Sequence, residues 1–192
     1  MTLALTRLGA ASPFALPTLG ALTAMAAISM SVFPSRPAHA SKAPKVGDKA
    51  PDFTVKQDDG SSFRLADRKG QWTVLYFYPK AETLGCTAQA CAFRDSIKLI
   101  RARKAEVFGV STDSPEQLAA FRKNHSLNFP LLSDEKTIVA EAFGAKMPLV
   151  PLAKRWTFVI DPELVIRWKD DKVDPAKDAA NVATKLKELQ GG

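Results

Sequence analysis

The stretch from Tyr76 to Asp95, YFYPKAETLGCTAQACAFRD, holds both cysteines of the chain, Cys86 and Cys91. Thiols cross-link, bind soft metals or, as thiolates, attack electrophiles. The spacing of the pair discriminates among these. Within one regular helix, residues five apart have Cα atoms about 8.5 Å from each other, beyond the ~7 Å a disulfide tolerates without backbone movement. A bond between Cys86 and Cys91 then forms only if the first turns of the helix unwind, and it closes a loop too small to stabilise much. That is a poor staple, and it suits a bond made and broken in turnover. A structural metal site needs about four ligands, whereas past residue 40 the chain has only two thiols and one histidine, His125. The shortage of ligands therefore argues against a metal centre, and a single histidine with no supporting motif argues against a cysteine protease.

A redox thiol remains. Cys86 follows an apolar run and a turn, at the start of a helical pattern. Free backbone N–H groups and the helix dipole favour a thiolate there, and a nearby guanidinium would favour it further. Cys91 lies deeper in the helix and receives little of that help. One thiol reads as activated, the other as waiting.

The elements that must position them follow from the pattern. WTVLYFY, Trp72 to Tyr78, is a continuous run of β-formers and predicts a central strand covered on both faces, stopped by Pro79. From about Thr83 to Ala105, Ala90, Phe93, Ile97 and Ile100 recur at helical spacing. EVFGVST predicts a second buried strand. SPEQLAAFRKNH predicts a helix capped by Ser114 with Pro115 at its first position, and EKTIVAEAF a shorter one closed by Gly144. Upstream, Asp58-Asp59-Gly60 signals a hairpin. Downstream, RWTFVID and LVIRWK predict an antiparallel pair, and Pro175 to Leu189 a final helix facing the core with Ala179, Val182, Ala183, Leu186 and Leu189. Strands alternating with helices, then a hairpin and a helix, predict an α/β domain: a mixed central sheet flanked by helices on both faces, compatible with a thioredoxin-like fold.

Residues 1–40 read differently. They carry Arg7 and Arg36 but no acid, then an apolar run from about Leu19 to Phe33, and end in Ala38-His39-Ala40. A basic start, an apolar middle and a small-x-small ending describe a cleavable signal peptide. The run is shorter than the ~20 apolar residues of a membrane span. The expectation is an exported, periplasmic protein of residues 41–192 in one domain, with no stable membrane association after cleavage. The formal net charge is +7, but basic residues alternate with acids, as in RDSIKLIRARKAE. Interspersed charge marks solvated helix faces rather than a nucleic-acid stripe.

PKAETLGC resembles the Pro-x-x-x-Thr-x-x-Cys motif of peroxiredoxins, with Pro79, Thr83 and Cys86 in the matching places. Cys91 makes the chain similar to the atypical two-cysteine subgroup, peroxiredoxin Q or bacterioferritin comigratory protein. The likeness extends through VGDKAPDF, FGVSTDSPEQLAAF and RWTFVIDPE, nearly all of the exported part. It implies a thiol peroxidase acting on hydrogen peroxide and organic hydroperoxides. Cys86 would be the peroxidatic nucleophile and Cys91 the resolving thiol. Thr83 would hydrogen-bond thiolate and peroxide, Pro79 would shield the site, and Arg155 would stabilise the thiolate and polarise the O–O bond. The resemblance implies no cofactor or metal, a thioredoxin-like dithiol as reductant, and a monomer. Leu84 departs from the family, in which many relatives have Pro before the Gly-Cys pair. GAKMPLVPLAKRW, with two prolines, predicts an irregular loop leading to Arg155. Two other readings stay open: an exported thioredoxin-like thiol–disulfide exchange protein, although the usual two-residue gap between cysteines is missing, and a binding domain with a dead site.

Overall fold

The computed structural model describes residues 43–191, and the leader assigned to residues 1–40 lies outside them. Strands β1 (Thr54–Gln57) and β2 (Ser62–Arg64) precede a 3₁₀ turn at Leu65–Arg68 and the central strand β3 (Trp72–Phe77). Then come α1 (Leu84–Arg101), β4 (Ala105–Ser111), α2 (Pro115–Asn124), β5 (Leu131–Ser133) and α3 (Ile138–Ala142). The hairpin strands β6 (Trp156–Ile160) and β7 (Ile166–Asp170) and the helix α4 (Asp178–Leu189) close the order.

The sheet has seven strands in the order β2-β1-β5-β4-β3-β6-β7. Strands β3, β4 and β5 run parallel, while β6 lies antiparallel to β3 on its other side. β3 sits between two neighbours and two covered faces, which is why its sequence is apolar without alternation. Val74, Tyr76 and Tyr78 point to the face covered by α1, α2 and α4. Leu75 and Phe77 point to the other, against Phe143, Val139 and Ala140 around α3 and against Phe53 and Phe63. Helices on both faces of a mixed sheet are the architecture the pattern predicts.

The helix faces agree in detail. Ala90, Phe93, Ile97 and Ile100 of α1 are buried together with Ala179, Val182 and Leu186 of α4. α2 starts with a full capping box: the Ser114 side chain accepts from the Gln117 N–H, and the Gln117 side chain accepts from the Ser114 N–H. Three features differ from the pattern. α1 ends at Arg101 rather than near Ala105, because Lys104 takes a left-handed backbone with φ 53°. α3 starts only at Ile138, after Thr137 takes a left-handed turn with φ 55°. β5 has no strand signal of its own; three residues become a strand through parallel pairing with β4.

Gly109 shows how tightly the layer under α1 is packed. A Cβ there would lie 2.6 Å from the Tyr76 hydroxyl oxygen and 2.9 Å from Leu131 Cδ2. Both neighbours are fully buried. Gly109→Ala overpacks this layer and should cost about 1–3 kcal/mol, read as a lower midpoint in urea unfolding at an unchanged m-value.

Candidate active site

The topology brings the site together at one edge of the sheet. Parallel pairing sets Phe77 against Val110, so β3 and β4 end side by side. Antiparallel pairing sets the same Phe77 against Trp156, so β6 begins where β3 ends. The loop after β3 carries Pro79 and Thr83 to the start of α1, and Arg155 immediately precedes β6. The loop residues, Cys86 and Arg155, far apart in sequence, therefore share one end of the sheet.

There Arg155 Nη2 donates to Cys86 Sγ at 3.2 Å. Gly85 lies close against the contact: a Cβ there would be 3.3 Å from that same nitrogen. Cys86 occupies the first turn of α1 and is only 1% exposed. Its sulfur thus meets the Arg155 guanidinium and the positive end of a helix together, the kind of surroundings in which reactive cysteines sit. Cys91 is half-buried further along the same helix, and both thiols are unbonded. Pro79 is half-buried just past the end of β3. The Thr83 hydroxyl donates to the Lys80 carbonyl at 3.0 Å and makes no capping bond to α1. Among the described residues no group of three or more His, Cys, Asp or Glu side chains is placed to hold a metal ion.

The loop itself is pinned at two points. Buried Asp113, just beyond β4, accepts from the Ala81 N–H at 2.8 Å and pairs with Lys80 Nζ at 2.6 Å. Glu82, in a left-handed backbone with φ 61°, reaches Asn124 and His125 at the end of α2, at 2.9 and 2.7 Å. Those two hydrogen bonds hold the Glu82 carboxyl below the usual range. His125, for which the sequence offers no supporting motif, is an anchor for the loop.

Behind Arg155 stands a buried polar chain. Arg155 Nη1 donates to Gln89 Oε1, and Gln89 Nε2 donates to Asp178 Oδ2 at 2.6 Å. The Thr157 hydroxyl donates to that same oxygen at 2.7 Å. Arg155 and Thr157 are two apart along one strand direction and so face the same side; Gln89 sits on α1 and Asp178 opens α4, which packs on α1. Burial pushes the Asp178 carboxyl up to about 6, against the opposing pull of the hydrogen bonds from Thr157 and Gln89. None of Gln89, Asp113 or Asp178 stands out in the sequence. Gln89 had a usable signal, because a residue three beyond Cys86 shares its helix face. Asp178 had none, being 89 positions from Gln89.

A carboxyl raised from 3.8 to about 6 on folding binds more protons in the native state than in the unfolded one over that interval. Native stability attributable to it therefore falls as pH rises from about 4 to about 6, by roughly 3 kcal/mol at most. Asp178→Asn removes the titration. The stability of the variant relative to wild type should climb through that window and level off above it, as measured by urea unfolding at a series of pH values.

A family model described as the AhpC/TSA family matches residues 46–169. Peroxiredoxin Bcp of Bacillus subtilis is 42% identical over 137 residues, covering 67% of this chain and 87% of that protein. Peroxiredoxin Bcp of Escherichia coli is 48% identical over 100 residues, 52% of this chain; the chain spans 64% of that relative's length. Among solved structures, peroxidoxin BcpB of Mycobacterium tuberculosis superposes with a TM-score of 0.71 at 35% identity, over 76% of this chain and 97% of that one. The bacterioferritin comigratory protein of Xanthomonas campestris, for which alkyl peroxide reduction activity is described, superposes with a TM-score of 0.69 at 29% identity, over 71% and 91%. With a thioredoxin-like fold, a thiol at the start of α1 and matches of this extent, the chain belongs to the AhpC/TSA family of peroxiredoxins, in its Bcp/PrxQ subgroup.

Proposed function

We propose that this chain is a thiol-dependent peroxidase that reduces hydrogen peroxide and organic hydroperoxides through Cys86, a sulfenic acid and a Cys86–Cys91 disulfide. One observation carries the reading: the Arg155 guanidinium lies 3.2 Å from the Cys86 sulfur at the first turn of a helix. The thiolate attacks the terminal oxygen of the hydroperoxide. The S–O bond forms as the O–O bond breaks, the alkoxide leaves as the alcohol after taking a proton, and Cys86 becomes a sulfenic acid. Arg155 stabilises the thiolate before attack and the negative charge that builds on the departing oxygen during it. Thr83 turns its hydroxyl from the Lys80 carbonyl to the peroxide, and Pro79 keeps bulk water off the sulfur.

Resolution needs the start of α1 to open, and that start is poorly held. Thr83 provides no side-chain cap and the first turn contains no acid. Gly85 sits inside that turn, and Leu84 is 94% exposed. A missing cap is worth about 1 kcal/mol and an internal glycine about as much. With the first turns unwound, the Cys91 thiol attacks the sulfenic sulfur, a disulfide forms and water leaves. A thioredoxin-like dithiol then returns both cysteines to thiols and is itself oxidised to a disulfide. The signal-peptide pattern of residues 1–40 supports export; the proposed cycle then runs in the periplasm, with an exported thioredoxin-like protein as reductant.

One equivalent of hydrogen peroxide added to the reduced protein, without reductant, should remove both thiols together. Cys86→Ser should be inert, and Cys91→Ser should stop at a sulfenic acid that dimedone traps. Rapid peroxide consumption by Cys86→Ser would falsify the assignment. Arg155→Lys keeps the charge but loses the fork of donors, and the second-order rate with peroxide should fall ~10²-fold. For the export reading, the amino terminus of the protein recovered from a bacterial periplasm should be Ser41; recovery from the cytosol with an intact leader would rule it out.

A further inference from the structure

The buried chain behind Arg155 contains a choice of orientation that the guanidinium does not make for itself. A glutamine side chain has an acceptor oxygen on one side and a donor NH₂ on the other. Arg155 offers only donors, so Gln89 holds it only with its oxygen turned toward Arg155. Nothing in an amide enforces that orientation. Asp178 does: its ionised carboxylate only accepts, and it faces Gln89 Nε2 at 2.6 Å. The Thr157 hydroxyl, also donating to Asp178 Oδ2, holds that oxygen in place from the strand side.

We propose that Asp178 is a positioning residue for the reaction: by accepting from Gln89 it fixes the amide that holds the Arg155 guanidinium on the Cys86 sulfur. The inference rests on the peroxidase reading and extends it by one residue on the last helix. The geometry argues for function over packing. Asp178 is fully buried, and its Oδ1 has no protein partner among the described residues. An ionised carboxylate left half-satisfied in a core is a stability cost, and a core optimised for stability alone would put an apolar or neutral side chain there. If the carboxylate is neutral or absent, the amide is released to flip. Its NH₂ then faces the guanidinium, donor against donor, and Arg155 withdraws from Cys86.

Charged and titratable groups around Asp178 come from three further elements: Arg155 ahead of β6, Asp170 at the end of β7 and Tyr76 of β3. Cys86 itself lies one step beyond Arg155. The Asp170 carboxylate opposes ionisation of Asp178, and the Arg155 guanidinium favours it. Burial pushes the carboxyl of Asp178 up to about 6, so it changes charge in the mildly acidic range.

The test compares two rates on the reduced protein: stopped-flow reaction with hydrogen peroxide, and alkylation of Cys86 by iodoacetamide in a Cys91→Ser background. Both need the thiolate, so their ratio cancels thiolate ionisation and reports how well Arg155 assists O–O cleavage. Wild-type protein that alkylates but does not react with peroxide would sink the peroxidase reading itself. Given wild-type reactivity, Asp178→Asn should lower the ratio ~10-fold. Asp178→Asn with Gln89→Glu reverses the polarity of the pair, since a glutamate accepts from both Arg155 and the new amide, and the ratio should return to within ~3-fold of wild type. In the wild type alone, the ratio should drop as pH falls from about 8 to about 5, following a single ionisation, and the drop should be absent in the double variant. A ratio in Asp178→Asn within ~2-fold of wild type, a double variant no better than the single one, or a wild-type ratio flat across that range would each overturn the role.

Discussion

The antiparallel docking of β6 on β3 is the constraint on which the site depends. A central strand and a helix start are enough to present a thiol, but not to bring a permanent cation to it. Pairing Phe77 with Trp156 does that, because it makes the residue before β6 a neighbour of the turn after β3. The same pairing sets Thr157 opposite Tyr76, on the face that α1 and α4 cover. Arg155 thus arrives with its supporting layer already in place. Thr157 follows on the strand, Gln89 stands on the helix that carries the thiol, and Asp178 opens the helix packed beside it.

The proposed cycle places two opposed demands on α1. Intact, the helix holds Cys86 against Arg155 and keeps Cys91 out of reach. Unwound at its start, as the proposed resolution step requires, it would free Cys86 for Cys91 and give up the Arg155 contact. Tethers are distributed accordingly. Asp113 holds Lys80 and Ala81, and Asn124 with His125 holds Glu82, all before the helix begins. Past Thr83 there is no cap, and the next two residues are an exposed leucine and a glycine. A fixed loop followed by a weakly held first turn would concentrate opening on the residues that the proposed cycle moves, with the rest of α1 anchored by Ala90, Phe93, Ile97 and Ile100.

Much of this was legible in the sequence for a physical reason. Long periodic elements, such as β3 and α1, declare themselves by composition and spacing, and the Pro79–Thr83–Cys86 register is local. Arg155 was legible only through the family resemblance, since an arginine ahead of a strand says nothing alone about a thiol at position 86. β5 was illegible because three residues acquire strand character from their partner and not from themselves. Asp178 and Asp113 were illegible for a related reason. Each acts by being buried at a junction of elements, and burial of an acid is a property of the tertiary fold.

Asp178 also shows why burial of charge and catalysis belong in one account. Replacing a buried ionised side chain by a neutral one usually stabilises a core when nothing else depends on it. Here a charge is kept where desolvation works against it, with one carboxylate oxygen carrying two hydrogen bonds and the other without a partner among the described residues. A neutral acceptor at that place would carry its own donor and leave the Gln89 amide free to choose. An anion has no such ambiguity. The carboxylate thus trades stability for a single hydrogen-bond direction, passed from α4 through Gln89 to the guanidinium. In the proposed reaction that direction matters because Arg155 must already face the sulfur when the O–O bond begins to break: reorganisation at that moment would add to the barrier the guanidinium is proposed to lower.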